Sequence, residues 1–321
     1  MRPSETTPDA ILRRLEWTVI RRLDGLLQGD YRTLFRGAGL DLADLREYQH
    51  HDDVRHIDWN VTARLQQPYV RQFTEDRELT AWFLLDLSGS VDFGSARSKR
   101  SVSAEFVAVL ARLLTRHGNR VGAMLYGTAI DEVLPARNGR IHVLHLMQRM
   151  FKHSTPQAKT QTRLQDLLQR AAPLIPRRST VFVVSDFISE PGWGDALARL
   201  AQRHEVLAVR LYDPLEMALP DLGMVTMQDA ETGEQLMVDT NDPSFRARFA
   251  KAADAQEAQL RATLTHAGVD ALELSTDEDL VSTLLRFVEL RRQRSRQSAG
   301  GGMPSHLKPT PTDERHDLRV A

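Results

Sequence analysis

The chain has 321 residues, no cysteine, and 42 basic against 43 acidic residues for a formal net charge of -1. That length suffices for one large domain or two small ones with a buried core. The charge balance gives no support for a nucleic-acid binder steered by bulk charge, and the missing cysteines exclude disulfides, thiolate zinc sites and cysteine catalysis. Met1 to Ala10 hold no apolar core of signal-peptide type, and no apolar run reaches the ~18 residues that span a bilayer. The sequence therefore reads as a cytoplasmic protein with no membrane span.

Residues 1–79 form a first region, polar and irregular apart from Ile11, Leu12, Leu15, Val19, Ile20, Leu23, Leu26 and Leu27. Their spacing places one apolar stripe on a helix. Its polar face mixes acids and bases, which disfavours a membrane-surface role and favours packing on the core. From residue 80 to 290, strand and helix patterns alternate, predicting an α/β domain with a doubly wound, mostly parallel sheet and helices on both faces. A strand from Thr80 to Leu85 opens it, followed by a helix near Ser98 to His117 with Gly118 as its cap. Strands at Val121 to Tyr126 and Ile130 to Leu134, joined by a tight turn at Gly127, predict one antiparallel edge strand.

Helices near Ile141 to Phe151 and Leu164 to Ala172 come next, then a buried strand at Thr180 to Ser185 that ends in Asp186. A helix at Trp193 to Arg203 and a strand at Val206 to Tyr212 precede a hairpin over Met224 to Val238. A long helix at Pro243 to His266 and a strand at Ala271 to Leu274 lead to a last helix from Asp277. Thr276 and Asp279 there have the spacing of a capping box. Residues 291–321 begin with Arg-Arg-Gln-Arg-Ser-Arg and continue with glycines and prolines. So little apolar surface predicts a disordered tail, whose basic start reads as a solvated helix end.

The most informative stretch is Asp86-x-Ser88-x-Ser90, where an apolar run stops at one carboxylate and two hydroxyls. Open α/β sheets bind ligands in the crevice beyond the carboxyl ends of their strands. Magnesium takes hard oxygen donors, often few from the protein, and keeps several waters; manganese accepts the same donors. Taken alone the motif is weak, because aspartate and serine are common in turns and caps. The cluster His50, His51, Asp52, Asp53 and His56 has zinc-ligand chemistry. Adjacent residues rarely point the same way, however, and no second histidine pair completes a tetrahedral set. Asp52, Asp53, Arg55, Asp58, Trp59 and Arg64 read either as a solvated, ion-paired loop or as a partner-binding surface.

The order of Asp86-x-Ser88-x-Ser90, Thr162 and Asp186 resembles a von Willebrand factor A domain and its metal-ion-dependent adhesion site. More narrowly, Arg46-Glu-Tyr48, the run Asp52-Asp53-Val-Arg55-His-Ile57-Asp58-Trp59, Thr62-Ala-Arg64 and Tyr69-Val-Arg71-Gln-Phe73 resemble the bacterial domain-of-unknown-function family 58. The likeness spans roughly residues 37–215. It implies that Ser88 and Ser90 ligate the metal directly, that Thr162 adds a third hydroxyl directly or through water, and that Asp86 and Asp186 hold metal-bound waters. A sixth position is then left for a carboxylate of a protein partner. The resemblance further implies a partner of the MoxR-like AAA+ ATPase class, with this chain as an adaptor in the assembly or maturation of other proteins. The sequence departs from the family at His50 and His51, where Pro-Gly usually stands, and it lacks the transmembrane helices of many members.

Enzyme readings fit less well. A haloacid-dehalogenase-type phosphatase needs a second carboxylate two residues after its nucleophile, and Ser88 stands there. The nucleophile elbow Gly-x-Ser-x-Gly lacks its first glycine here, and no Gly-x-x-x-x-Gly-Lys-Ser/Thr phosphate loop occurs. The expected function is a non-catalytic, magnesium- or manganese-dependent protein-interaction module; the alternative is a magnesium-dependent phosphohydrolase using Asp86.

Overall fold

The computed structural model describes residues 7–20, 23, 44–49, 54, 57, 59–72, 79–127, 130–153, 162–228 and 233–300. The chain begins with α1 (Pro8–Leu15), extended by a π-helical turn (Glu16–Ile20), and continues through β1 (Asp44–Glu47), α2 (Trp59–Leu65) and β2 (Tyr69–Gln72). Then come β3 (Thr80–Asp86), a 3-10 turn (Gly89–Asp92), α3 (Lys99–Arg116), β4 (Arg120–Tyr126), β5 (Ile130–Arg137), α4 (Arg140–Lys152) and α5 (Leu164–Leu174). The remainder is β6 (Thr180–Ser185), α6 (Trp193–Arg203), β7 (Glu205–Tyr212), the single turn α7 (Pro214–Met217), β8 (Met224–Gln228), β9 (Gln235–Asp239), α8 (Pro243–His266), β10 (Asp270–Ser275) and α9 (Leu280–Gly300).

One sheet organises the molecule, in the order β10-β7-β6-β3-β4-β5. Every neighbouring pair is parallel except β4 with β5. The sequence expectation of a doubly wound, mostly parallel sheet with one antiparallel edge strand therefore describes the fold. The central strand β3 shows why: alternate side chains of a strand point to opposite faces, and β3 is apolar on both. Phe83 and Leu85 enter one core with Val121, Phe182 and the buried faces of α1, α3, α4 and α9. Trp82 and Leu84 enter the other with Met124, Val183, α5, α6 and the end of α8. In the first core Phe83 stacks on Phe182 at 5.0 Å between centroids, and Phe106 meets both rings edge-on.

Local signals set the ends of α3. Ser98 accepts the Ser101 amide at its start, an N-cap. At its far end Gly118 adopts a φ of +81°, which glycine tolerates without steric penalty. On β4, Gly122 has a different role: a Cβ there would lie 2.8 Å from Cε3 of Trp82 on the neighbouring strand.

The amino-terminal stripe packs on the core. Leu12, Leu15, Val19, Ile20 and Leu23 are buried in the first cluster, and ion pairs Arg112–Glu16 and Arg140–Asp9 tie α1 and its extension to α3 and α4. Leu26 and Leu27 lie outside the described residues. Three features differ from the sequence expectation. β1 and β2 pair as a short antiparallel ribbon in a region read as irregular, because Asp44–Glu47 shows no apolar alternation. α9 runs to Gly300, past the expected start of a disordered tail; buried Val281, Leu284 and Val288 anchor it, and Arg291 pairs with Asp270 at 3.2 Å. Once a helix is nucleated, following arginines and glutamines propagate it readily. Finally, Asp279 rather than Thr276 accepts an amide at the helix start, that of Ser282.

Phe83→Ala should cost about 3–5 kcal/mol of unfolding free energy, as truncation of a packed aromatic does. Trp59→Ala, at a residue 69% exposed on α2, should change it by no more than ~0.5 kcal/mol. Denaturant unfolding of the two variants beside the wild type checks both values.

Candidate functional site

β3 and β6 are adjacent and parallel, so their terminal residues emerge side by side at the carboxyl edge of the sheet. Asp86 ends β3 with no exposed surface. Its Oδ1 accepts the Ser88 amide at 3.0 Å and its Oδ2 accepts the Ser185 hydroxyl at 2.7 Å. Ser185 Oγ in turn accepts the Phe187 amide at 2.9 Å. Next along, Asp186 accepts the Ile188 amide on Oδ1 and the Lys99 ammonium on Oδ2, the latter at 2.7 Å. Between Asp186 and Ile188 the backbone turns at Phe187, whose φ is +60°, a left-handed conformation that costs on the order of 1–3 kcal/mol outside glycine. Packing of Phe187 against Trp193, 5.2 Å between ring centroids, opposes that cost.

The hydroxyls sit in the loop that leaves β3. Ser88 and Ser90 are nearly buried, and their Oγ atoms are 3.2 Å apart. Thr162 reaches the same edge from the segment before α5. Its carbonyl accepts the Ser189 hydroxyl at 2.9 Å and the Glu190 amide at 3.0 Å, and the next amide, that of Arg163, donates to the Tyr126 hydroxyl. Tyr126 pairs with Asp86 across β3 and β4.

Residues that the motif reading missed hold this edge together. Lys99, the first residue of α3, is fully buried and places Nζ 2.7 Å from both Asp186 Oδ2 and Glu216 Oε1. Glu216 belongs to α7, where it closes a capping box with Asp213. Asp213, buried at the end of β7, accepts the amide and hydroxyl of Ser95 at 2.7 and 2.9 Å and the hydroxyl of Thr276. Arg97 donates to the carbonyls of Thr276 and Glu278. The loop bearing Ser88 and Ser90 is thus fastened across the ends of β6, β7 and β10. Ser185 was marked by one signal only, a hydroxyl closing a buried strand after the apolar run Val181 to Val184.

Electrostatics follow from burial. Desolvation, and then the neighbouring Asp186 charge, push Asp86 up to about 6, although hydrogen bonds from Ser185 and Ser88 pull the other way. Lys99 is pulled down by burial but raised further by Asp186 and Glu216, so the net shift is upward and it stays cationic. Asp213 is pushed up by burial yet held below its ordinary value by the hydrogen bonds from Thr276, Ser95 and Leu215. Two buried carboxylates with hydroxyls beside them form an oxygen-only donor set, which suits a hard divalent cation. Among the described residues no group of three or more His, Asp and Glu side chains is placed to hold a metal. A cation at this edge therefore depends on the hydroxyls. Phe93 and Ile188, two large apolar side chains at 42% and 38% exposure, lie in the loops that follow β3 and β6.

The second candidate surface is only partly described. Trp59 and Arg64 are exposed on α2. Asp52, Asp53, Arg55 and Asp58, with the histidines of the zinc reading, lie outside the described residues. Among the described residues, no helix is long and apolar enough to cross a membrane.

The profile of a family described as "Protein of unknown function DUF58" matches residues 44–259. An uncharacterized protein of Mycobacterium tuberculosis is 41% identical over 290 residues, covering 88% of this chain and 90% of the relative. Among solved structures, the chain is similar to an aerotolerance-related membrane protein from Bacteroides fragilis, at 13% identity and a TM-score of 0.41 over 68% of this chain and 99% of that one. The SpRpn10 VWA domain follows at 13% identity and a TM-score of 0.35, over 66% of this chain and 95% of that one.

The two aspartates should give stability profiles of opposite sign in the presence of chelator. Asp86 has a raised value when folded, so the folded state holds its proton from about pH 4 to about pH 6. Its effect is absent below that window, and stability is lost as pH rises through it, by on the order of 3 kcal/mol. Asp213, held low, contributes above its ordinary value and loses that contribution as pH falls. In denaturant titrations, Asp86→Asn should therefore gain on the wild type between about pH 4 and 6, whereas Asp213→Asn should lose ground at lower pH, as pH rises toward the ordinary aspartate value. Profiles parallel to the wild type would contradict the assigned environments.

Proposed function

This chain belongs to the family described as Protein of unknown function DUF58, and from that premise we propose that it is a non-catalytic, divalent-cation-dependent protein-interaction module. The observation that carries the reading is the pair of nearly buried hydroxyls, Ser88 and Ser90, set 3.2 Å apart in the loop leaving Asp86. Hydroxyls in such a place offer oxygen donors without adding charge to an edge that already buries two carboxylates. On this reading Ser88 and Ser90 ligate Mg2+, or Mn2+, directly, and Thr162 adds a hydroxyl directly or through water. Asp86 and Asp186 hold the bound waters. When bound, the cation supplies a coordination position that an aspartate or glutamate of the partner fills.

The state of Asp86 supports binding over hydrolysis. Each of its oxygens accepts one hydrogen bond and keeps a second acceptor site for a water, whereas a nucleophile must reach the substrate's electrophilic atom and Asp86 has no exposed surface. The exposed apolar pair Phe93 and Ile188 gives the rim a contact surface of the kind that protein interfaces bury. The partner proposed from the family resemblance is a MoxR-like AAA+ ATPase, met in the cytoplasm, with Trp59, Arg64 and the adjoining Asp52, Asp53, Arg55 and Asp58 as a second contact.

Ser88→Ala should change stability by only about 1 kcal/mol, because it removes one hydroxyl that bonds Ser90 and Asp86 while the Ser88 amide keeps its own bond to Asp86. It should nonetheless abolish measurable Mg2+ binding in calorimetric titration. A pull-down of a purified MoxR-like ATPase should succeed with wild type in magnesium and fail with chelator or with Ser88→Ala. Equal recovery in all arms would refute a cation-dependent contact.

A further inference from the structure

Lys99 stands out because nothing in the proposed coordination uses it, although it is fully buried and makes two 2.7 Å contacts with carboxylates. Burying an ammonium costs several kcal/mol per ion unless it is closely paired. Asp186 and Glu216 provide that pairing from two elements distant in sequence, the end of β6 and the turn α7. The two partners are unequal: the Asp186 side chain is 1% exposed, the Glu216 side chain 25%. Glu216 also keeps a second role, accepting the Asp213 amide on Oε2 at 3.0 Å.

We infer that Lys99 is a built-in counter-ion that competes with the divalent cation for Asp186, and that Glu216 sets how strongly it competes. The inference rests on the metal-site reading above and goes beyond it in assigning residues that determine cation affinity without ligating the cation. With Asp86, Asp186 and Glu216 ionised against Lys99, the cluster carries two net negative charges. A divalent cation beside Asp186 meets Lys99 as a like charge in a poorly screened setting. It also draws on an oxygen that the ammonium occupies. Glu216 is the carboxylate on which Lys99 stays paired while Asp186 turns to the cation. Lys99 thus lowers intrinsic affinity, and it offsets one of the three negative charges when no cation is present. Partner and cation then favour each other, since a partner carboxylate adds the negative charge that Lys99 cancels.

The test uses the full chain as wild type, Lys99→Met and Glu216→Gln, with Mg2+ alone as the probe. Calorimetric Kd is measured together with the rise in melting temperature from chelator to saturating magnesium. Lys99→Met should bind Mg2+ about tenfold more tightly and show the larger rise, since stabilisation by a ligand grows with its concentration over Kd. Glu216→Gln should bind about tenfold more weakly, because the ammonium then rests on Asp186 with its full charge. If Lys99→Met does not fold, the Glu216→Gln arm decides alone. Affinities within twofold of wild type, or weaker binding by Lys99→Met, would overturn the role of Lys99 while leaving the metal site standing. A wild type that binds no Mg2+ would instead overturn the metal site itself.

Discussion

Two carboxylates are buried next to each other at the ends of adjacent parallel strands, Asp86 on β3 and Asp186 after β6, and this fixes much of the architecture around them. In a medium of low polarity each anion would be costly, and the two together more so. The Ser88 and Ile188 amides, the Ser185 hydroxyl and the Lys99 ammonium all point at these four oxygens. Even the left-handed backbone at Phe187 belongs to this set, since it turns the chain so that successive amides can serve Ser185 and Asp186.

The same constraint explains why a loop that carries candidate ligands is held so firmly. Free loops lose conformational entropy on binding, of order 1–2 kcal/mol for each residue fixed. Here Ser95 is bound to Asp213, Arg97 to the carbonyls after β10, and Lys99 to Asp186 and Glu216. The ordering cost is met during folding, and the edge is preorganised for whatever it contacts.

How much was readable in advance varied with the range of the interactions. The order and type of the sheet elements were legible because β3, β4 and β6 are apolar on both faces and the helices carry their caps locally, as Ser98 does for α3. Asp86, Ser88 and Ser90 were legible as neighbours in one motif. Asp186 was legible as a second carboxylate at the end of a buried strand, although its role, like Thr162 altogether, came only from a resemblance. The links of Lys99, Glu216 and Asp213 to this edge were invisible, since those partners lie 87, 117 and 118 residues apart and a lysine at the start of a helix carries no mark of burial. Thr276 shows the converse error: its spacing to Asp279 matched a cap, but the nearby Asp213 carboxylate claimed its hydroxyl. β1 and β2 escaped notice because short polar strands have no period to detect.

The contact between Gly122 and Trp82 ties two positions on neighbouring strands into a single evolutionary unit. The indole occupies the space that any side chain at 122 would need, and the sheet on either side leaves neither strand free to move away. A lineage can enlarge position 122 only after position 82 has become smaller, and the intermediate in the other order would carry a severe clash in the core. Across related chains a larger residue at 122 should therefore occur only beside a smaller one at 82, and a chimera that joins β3 carrying the indole to β4 of a lineage that has enlarged 122 should inherit the clash.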